Sequence, residues 1–341
     1  MALKILTVLA GASVGGAETF FVSLTLALAR AGLEVRSVLK PNALRQEALA
    51  RGGIPYETAS FRSVLDFTTA RVLGRTAAAF GPDIVLAFAG RAASFAPRGY
   101  RTIGRLGGYY NLRNFRQCGH LVCNAPDLVR YVKEGGWPQD KVSLIPNFPS
   151  VPDEPVLDRA LFETPHGVPL AVALGRLHPN KGLDVLIKAA ALIPELFIWI
   201  AGEGPERAPL ENLVQSSGLG KRVKFLGWRS DRTALYKAAD LCVYPSREEP
   251  FGNVVVEAWS CGVPIVTTAS TGPAWLARNN EDAIITPVDD VEAFAAGIRQ
   301  VIGSKALAAR LVAAGRGRVA EEFSEDAIVR QYITLFEKVR R

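Results

Sequence analysis

The sequence predicts an α/β protein of two doubly wound, Rossmann-like domains facing each other across a cleft. Three observations carry this expectation. Apolar, β-branched runs alternate with helical patterns; the alternation restarts in the second half; and a proline-rich stretch separates the halves. Alternating strands and helices fold into parallel sheets covered on both faces by helices. A chain of 341 residues suits two domains of about 150 residues each.

In the first half, strand-like runs lie at 4–10, 34–39, 84–88, 121–124 and 142–145. Near-continuous apolar character marks strands buried on both faces. Helical patterns such as 17–31 and 68–80 fall between them, and Gly32 stands where a helix-ending glycine belongs. The stretch 146–169 contains Pro146, Pro149, Pro152, Pro155, Pro165 and Pro169 without strong periodicity, which is linker chemistry. Beyond it, strands are expected at 170–174, 196–200, 223–226, 241–244, 263–267 and 283–285. Helices are expected at 183–193, 207–216, 232–238, 253–260, 291–301 and 305–322. The domains are therefore placed at 1–150 and 166–324. Sheets of this kind bind ligands at the carboxyl ends of their strands, and both sets of ends are expected to face the cleft.

Composition narrows the class. The formal net charge is +7, but residues 1–150 hold 18 lysines and arginines against 9 acids, and the remainder holds 22 against 24. Arg91, Arg98, Arg101, Arg105, Arg113 and Arg116 lie in one acid-free stretch, interleaved with Phe95, Tyr100, Tyr109, Tyr110 and Phe115. This reads either as a solvated basic surface or as a patch for an anionic partner, such as phosphate groups or acidic lipid heads. No recognised nucleic-acid motif is present. Cys118, Cys123, Cys242 and Cys261 form no Cys-x-x-Cys pair and read as small buried thiols in a reducing compartment. No apolar run reaches the roughly 18 residues that span a bilayer, and no cleavage-site pattern follows the apolar start. A cytoplasmic protein is expected.

Four turns carry candidate chemistry. Gly11-Ala-Ser-Val-Gly15-Gly16-Ala17-Glu18 follows the first strand and opens a helix; it is an anion cradle or a plain tight turn. It lacks the Gly-x-Gly-x-x-Gly spacing of dinucleotide sites. Gly175-Arg176-Leu-His-Pro-Asn-Lys181-Gly182 sits between a strand and a helix. There an arginine fork and a lysine point charge can both grip a diphosphate and stabilise the charge that develops as it departs. The chain contains no Asp-x-Asp metal motif, so two cations standing in for a metal is self-consistent. Pro245-Ser-Arg-Glu-Glu249-Pro-Phe251-Gly252-Asn253-Val-Val-Val-Glu257-Ala258 is the most specific element, with seven residues between its two glutamates. Asn253 is expected to cap the next helix. Glu257 falls among valines, where an unpaired carboxylate is costly; a hydroxyl-rich ligand is its simplest partner. The amides of Phe251, Gly252 and Asn253 can take sugar or phosphate oxygens. Gly202-Glu-Gly204-Pro205 and Gly227-Trp228 end neighbouring strands; they either line a nucleotide or are plain turns.

Together these residues resemble the family 4 (group 1) retaining glycosyltransferases, which have the GT-B architecture. The resemblance spans nearly the whole chain and includes the later Gly262-Val-Pro-Ile-Val266. It implies a nucleotide-diphosphate-sugar donor with neither metal nor cofactor. Arg176 and Lys181 would bind the diphosphate, Glu249 the sugar near the reacting centre, and Glu257 the ribose hydroxyls. Gly15 and Gly16 would approach the donor phosphate, with Gly204, Pro205 and Gly227 near the nucleotide. A last helix at 325–341 would cross back to the first domain. Many relatives carry a histidine after the fourth strand; this chain reads Leu86-Ala-Phe-Ala-Gly-Arg91. His120, His166 and His178 lie elsewhere, and the first-domain catalytic group is unassigned. The segments Gly104–Arg113 and Pro146-Asn-Phe148 are similar to members acting on cell-envelope glycans, lipopolysaccharide included. This implies a phosphorylated or lipid-linked saccharide acceptor and a first domain peripheral at an anionic membrane face. A nucleotide-sugar epimerase of the same architecture and a non-catalytic nucleotide-sugar-binding subunit are the alternatives.

Overall fold

The computed structural model describes residues 2–11, 15–62 and 66–340. The chain divides into two compact units, Met1–Phe148 with Ser324–Arg341, and Pro149–Phe323.

The first unit begins with β1 (Lys4–Leu9), α1 (Gly16–Arg30), β2 (Glu34–Leu39), α2 (Ala43–Arg51), β3 (Tyr56–Thr58), α3 (Phe67–Phe80) and β4 (Ile84–Phe88). It continues through α4 (Ala89–Ser94), β5 (Thr102–Leu106), β6 (His120–Cys123), α5 (Pro126–Glu134) and β7 (Val142–Leu144). The strands pair in parallel in the order β3-β2-β1-β4-β5-β6-β7. Ile5 lies opposite both Val35 and Ile84, so the fully buried run 5–9 sits at the sheet centre.

The second unit comprises β8 (Leu170–Leu174), α6 (Leu183–Ala191), β9 (Phe197–Ala201), α7 (Arg207–Ser216), β10 (Val223–Gly227), α8 (Arg232–Ala238) and β11 (Leu241–Tyr244). It is completed by α9 (Asn253–Cys261), β12 (Ile265–Thr268), α10 (Thr271–Leu276), β13 (Ile284–Thr286), α11 (Val291–Gly303) and α12 (Lys305–Glu322). Its parallel sheet runs β10-β9-β8-β11-β12-β13, with one apolar cluster on each face. Residues 159–165 pack onto this unit. Arg159 donates to the Ala238 carbonyl at 2.9 Å and the Val168 carbonyl at 3.1 Å, and Trp199 Nε1 donates to Thr164 Oγ1 at 2.9 Å.

The last helix, α13 (Glu325–Arg340), belongs to the first unit. Its buried face, Ile328, Tyr332, Leu335 and Phe336, joins the cluster containing Phe20, Leu24 and Phe88. Arg30 and Glu325 clamp its start at 2.7 Å.

Arg105 overturns part of the basic-patch expectation. It is 1% exposed, whereas the five other arginines of that stretch are exposed. Its Nε donates to Tyr332 Oη at 2.8 Å, its Nη2 donates to Asn147 Oδ1, and its guanidinium lies over the rings of Phe20 (4.2 Å) and Phe88 (5.5 Å). The cysteines form no disulfide, and burial pushes Cys118 and Cys123 up to about 12, which makes them inert thiols. Among the described residues no helix is long and apolar enough to cross a membrane.

His120, 2% exposed, meets Ser143 Oγ at 2.9 Å. Burial first, then Lys338 and Lys141, pushes it down to about 4. The folded state therefore prefers the neutral ring. This stability is fully present above the ordinary histidine value near 6.5 and is lost as pH falls through about 4. Urea unfolding is expected to lose stability on the order of 3 kcal/mol across that window from this residue, and a His120→Gln variant is expected to show a correspondingly flatter pH profile.

Candidate active site

The strand order of the second sheet reverses between the parallel neighbours β8 and β11. A doubly wound sheet offers a ligand crevice at such a point, because the connections leaving the two strands diverge to opposite faces. The turns after β8 and β11 are Gly175–Gly182 and Pro245–Gly252, and they carry the most specific sequence motifs.

Arg247 staples these turns together. Its amide donates to the Asn180 carbonyl at 2.8 Å, its Nη1 to the Pro179 carbonyl at 2.6 Å, and its side chain pairs with Asp184 at 2.9 Å and Asp289 at 2.6 Å. Gly182 adopts a left-handed φ of 61°, and a Cβ there would strike the Pro245 carbonyl. A glycine is required on both counts.

The staple brings Lys181 onto Glu249. Lys181 Nζ donates to Glu249 Oε2, and Tyr244 Oη donates to the same oxygen at 2.5 Å. Lys181 Nζ also lies 5.6 Å from the Tyr244 ring centre. The ion pair is only partly exposed, 22% for Lys181 and 16% for Glu249. Burial, and then the Glu249 charge, holds the Tyr244 hydroxyl well above its usual value, so Tyr244 remains a donor. Arg176, Lys181, Gly175, Tyr244 and Pro245 line one small recess. A larger recess of about 600 Å³ runs along β10 and α7; it contains neither Arg176, Lys181 nor Glu249.

Glu257 corrects an expectation. Its carboxylate already has protein partners: Arg232 Nη2 at 2.5 Å and Tyr236 Oη at 3.1 Å, both on Oε2. Burial raises its pKa, against the opposing pull of Arg232 and Tyr236. The ligand first invoked to explain Glu257 is therefore not needed for its pairing. Asn253 also departs from expectation. Gly252, at φ 96°, occupies the cap position of α9, and Asn253 is the first helical residue. A left-handed cap suits glycine, so the asparagine is displaced one position inward. Phe251 is 2% exposed and packs its ring against Trp275 and Phe323.

Gly204 and Pro205 lie on the turn after β9, and Gly227 is the last residue of β10. A Cβ on Gly204 would collide with the backbone of Leu177, and one on Gly202 with the Gly175 carbonyl. Leu177 N donates to the Glu203 carbonyl at 3.1 Å, and Gly202 N to the Gly227 carbonyl at 2.8 Å. Close packing of three successive turns accounts for these glycines. In the first unit, Gly15 precedes α1 and Gly16 is its first residue. The intervening part of that motif, residues 12–14, lies outside the described residues. Tyr244, Arg232, Tyr236 and Arg247 were not singled out from the sequence. Only the position of Tyr244 at a strand end, and of Arg247 inside the motif, pointed toward them.

Residues 158–318 match the family described as "Glycosyl transferases group 1". Over 330 residues the chain is 34% identical to the lipopolysaccharide core biosynthesis glycosyltransferase LpsE of Rhizobium meliloti, covering 94% of this chain and 95% of that one. It is 35% identical to LpsD of the same organism, covering 95% of each. The solved structure of Anabaena HepE with UDP and glucose superposes with a TM-score of 0.83 at 22% identity, covering 98% of this chain and all of the other. WaaG, a glycosyltransferase involved in lipopolysaccharide biosynthesis, gives 0.72 at 16% identity, covering 98% and 99%. The chain belongs to the group 1 glycosyltransferases, is an enzyme of that class and has the GT-B fold.

Proposed function

We propose that this glycosyltransferase moves a hexose-type sugar from a nucleoside-diphosphate donor to a saccharide of the lipopolysaccharide core or a related cell-envelope glycan. It does so without a metal ion and with retention of anomeric configuration. The observation that carries the proposal is the meeting of Lys181 and Glu249 beside Arg176 at the switch point of the second sheet. Two cations and a carboxylate suit a ligand with a diphosphate at one end and vicinal hydroxyls at the other.

In this reading Arg176 and Lys181 hold the diphosphate. As the bond between the anomeric carbon and the phosphate oxygen breaks, the electron pair goes to that oxygen, and the two cations stabilise it. Glu249, oriented by Tyr244, accepts hydroxyls of the donor sugar. The acceptor hydroxyl attacks the anomeric carbon from the side the phosphate leaves, and its proton passes to the leaving phosphate. Glu257, fixed by Arg232 and Tyr236, keeps lone pairs for the ribose hydroxyls. The amides at the start of α9, with Gly15 and Gly16, approach donor oxygens, while Gly204, Pro205 and Gly227 face the nucleotide. The names of LpsE and LpsD support the acceptor class, and the UDP and glucose in HepE support the donor class. The exposed Arg91, Arg98, Arg101, Arg113 and Arg116 suit a phosphorylated, membrane-held acceptor at an anionic inner membrane face. Family membership favours transfer over epimerisation or a non-catalytic binding role.

A thermal-shift panel of nucleoside diphosphates tests the donor side. A ligand bound only by the native state raises the melting temperature. At least one nucleoside diphosphate is expected to raise Tm by a few degrees in the wild type and less in Lys181→Ala. A flat response across the panel contradicts the proposal.

A further inference from the structure

The turn between β13 and α11 carries a carboxylate that the local backbone does not call for. Asp290 has a local duty: it caps α11, accepting from the Ala293 amide at 2.9 Å. Its neighbour Asp289 has a left-handed φ of 61°, a conformation that glycine adopts without steric cost and aspartate adopts less readily. Asp289 Oδ1 accepts from Arg247 Nε at 2.6 Å, across 42 residues of sequence. An aspartate held at a backbone position that suits glycine points to a task for its side chain.

That task lies at the other end of the guanidinium. Arg247 Nη2 reaches Asp184, in the first turn of α6, at 2.9 Å, and Nη1 donates to the Pro179 carbonyl at 2.6 Å. Pro179–Lys181 is a single 3₁₀ turn, and a turn that short has few hydrogen bonds of its own to fix it. The Asn180 carbonyl accepts from the Arg247 amide at 2.8 Å. Both residues that precede Lys181 are therefore bonded to Arg247. Two carboxylates on different turns aim the planar fork that holds them.

We propose that Asp184, Arg247 and Asp289 form a clamp that positions Lys181 for sugar transfer. Asp289 is then a positioning residue on a turn that carries none of the donor-site motifs. The proposal rests on the reading of Lys181 as a cation at the departing diphosphate. The clamp acts by setting where Lys181 Nζ stands. A displacement of about 1 Å in a catalytic group costs up to about 100-fold in rate, because a charge that must be reoriented during the reaction loses its preorganisation. Loosening the clamp therefore lowers kcat more than it raises KM.

A double-mutant cycle on the full chain tests the clamp. Initial rates of nucleoside diphosphate release are measured with UDP-glucose, UDP-galactose and GDP-mannose as probes, and the fastest is carried forward beside Tm. Asp289→Gly is expected to lower kcat about tenfold with a smaller change in KM. Its Tm is expected to stay within a few degrees of wild type, because glycine relaxes the left-handed backbone and offsets the lost ion pair. Asp289→Asn, whose amide oxygen still accepts from Arg247 Nε, is expected to recover most of the rate. In a Lys181→Ala background Asp289→Gly is expected to have no further effect, since both substitutions remove the same contribution. Wild-type kcat in Asp289→Gly, or an equal fold-loss in both backgrounds, overturns the clamp while leaving Lys181 in its role. A Lys181→Ala rate close to wild type, or no release from any probe by the wild type, instead removes the donor-site reading and the clamp with it.

Discussion

Lys181→Ala is expected to lower the rate of sugar transfer by about 10³-fold while the fold persists. The lysine is held at the mouth of the β8 turn by Glu249 and is only partly exposed, so its charge acts in a medium less polar than bulk water. A preorganised cation at a departing phosphate stabilises the transition state more than the ground state, so the loss appears in kcat. The structural cost is smaller. Glu249 retains the Tyr244 hydroxyl, and breaking a partly exposed pair costs about 1–2 kcal/mol. Single-turnover rates beside circular dichroism check both parts. Lys181→Arg is expected not to restore the rate, because a planar guanidinium does not replace a compact ammonium contact. Retention of more than a tenth of wild-type kcat in Lys181→Ala would remove the lysine from the reaction.

Arg105→Ala is expected to destabilise the first unit by about 3–5 kcal/mol. Truncation removes the donor to the Tyr332 hydroxyl and to the Asn147 side-chain carbonyl and strips two aromatic rings of their cation. It also cuts the tie between β5 and α13. Arg105→Met fills most of the volume without burying a charge and is expected to lose less. Urea titration of the two variants gives the comparison; wild-type stability in Arg105→Met would mean that packing volume alone, rather than the hydrogen bonds, holds the helix.

The same arginine shows where sequence reading stops. The runs 170–174 and 241–244 are apolar throughout, and 5–9 is apolar except for Thr7, because their strands are buried on both faces, so they were legible. β5 reads Thr-Ile-Gly-Arg-Leu. Its glycine and arginine break the apolar run, although every residue is buried, because the partners of Arg105 come from residues 20, 88, 147 and 332. β3 has three half-buried or exposed residues at a sheet edge and leaves no pattern. At the candidate site, Arg176, Lys181, Glu249 and Glu257 were legible because charged residues in turns and among valines require an explanation. Tyr244, Arg232 and Tyr236 were not. Their roles arise when β11 and α8 pack beside the glutamates, a proximity that local spacing does not encode. The cap of α9 was misplaced by one residue because the left-handed Gly252 outcompetes Asn253 for that position.

The central claim is that two side-chain cations, rather than a divalent ion, stabilise the departing diphosphate. The initial rate of nucleoside diphosphate release from a sugar donor, measured on enzyme stripped with EDTA and held in chelator, addresses it most directly. An undiminished rate in the wild type, together with a collapse in Lys181→Ala, is the expected result. A rate that disappears on chelation and returns with magnesium or manganese would contradict the account.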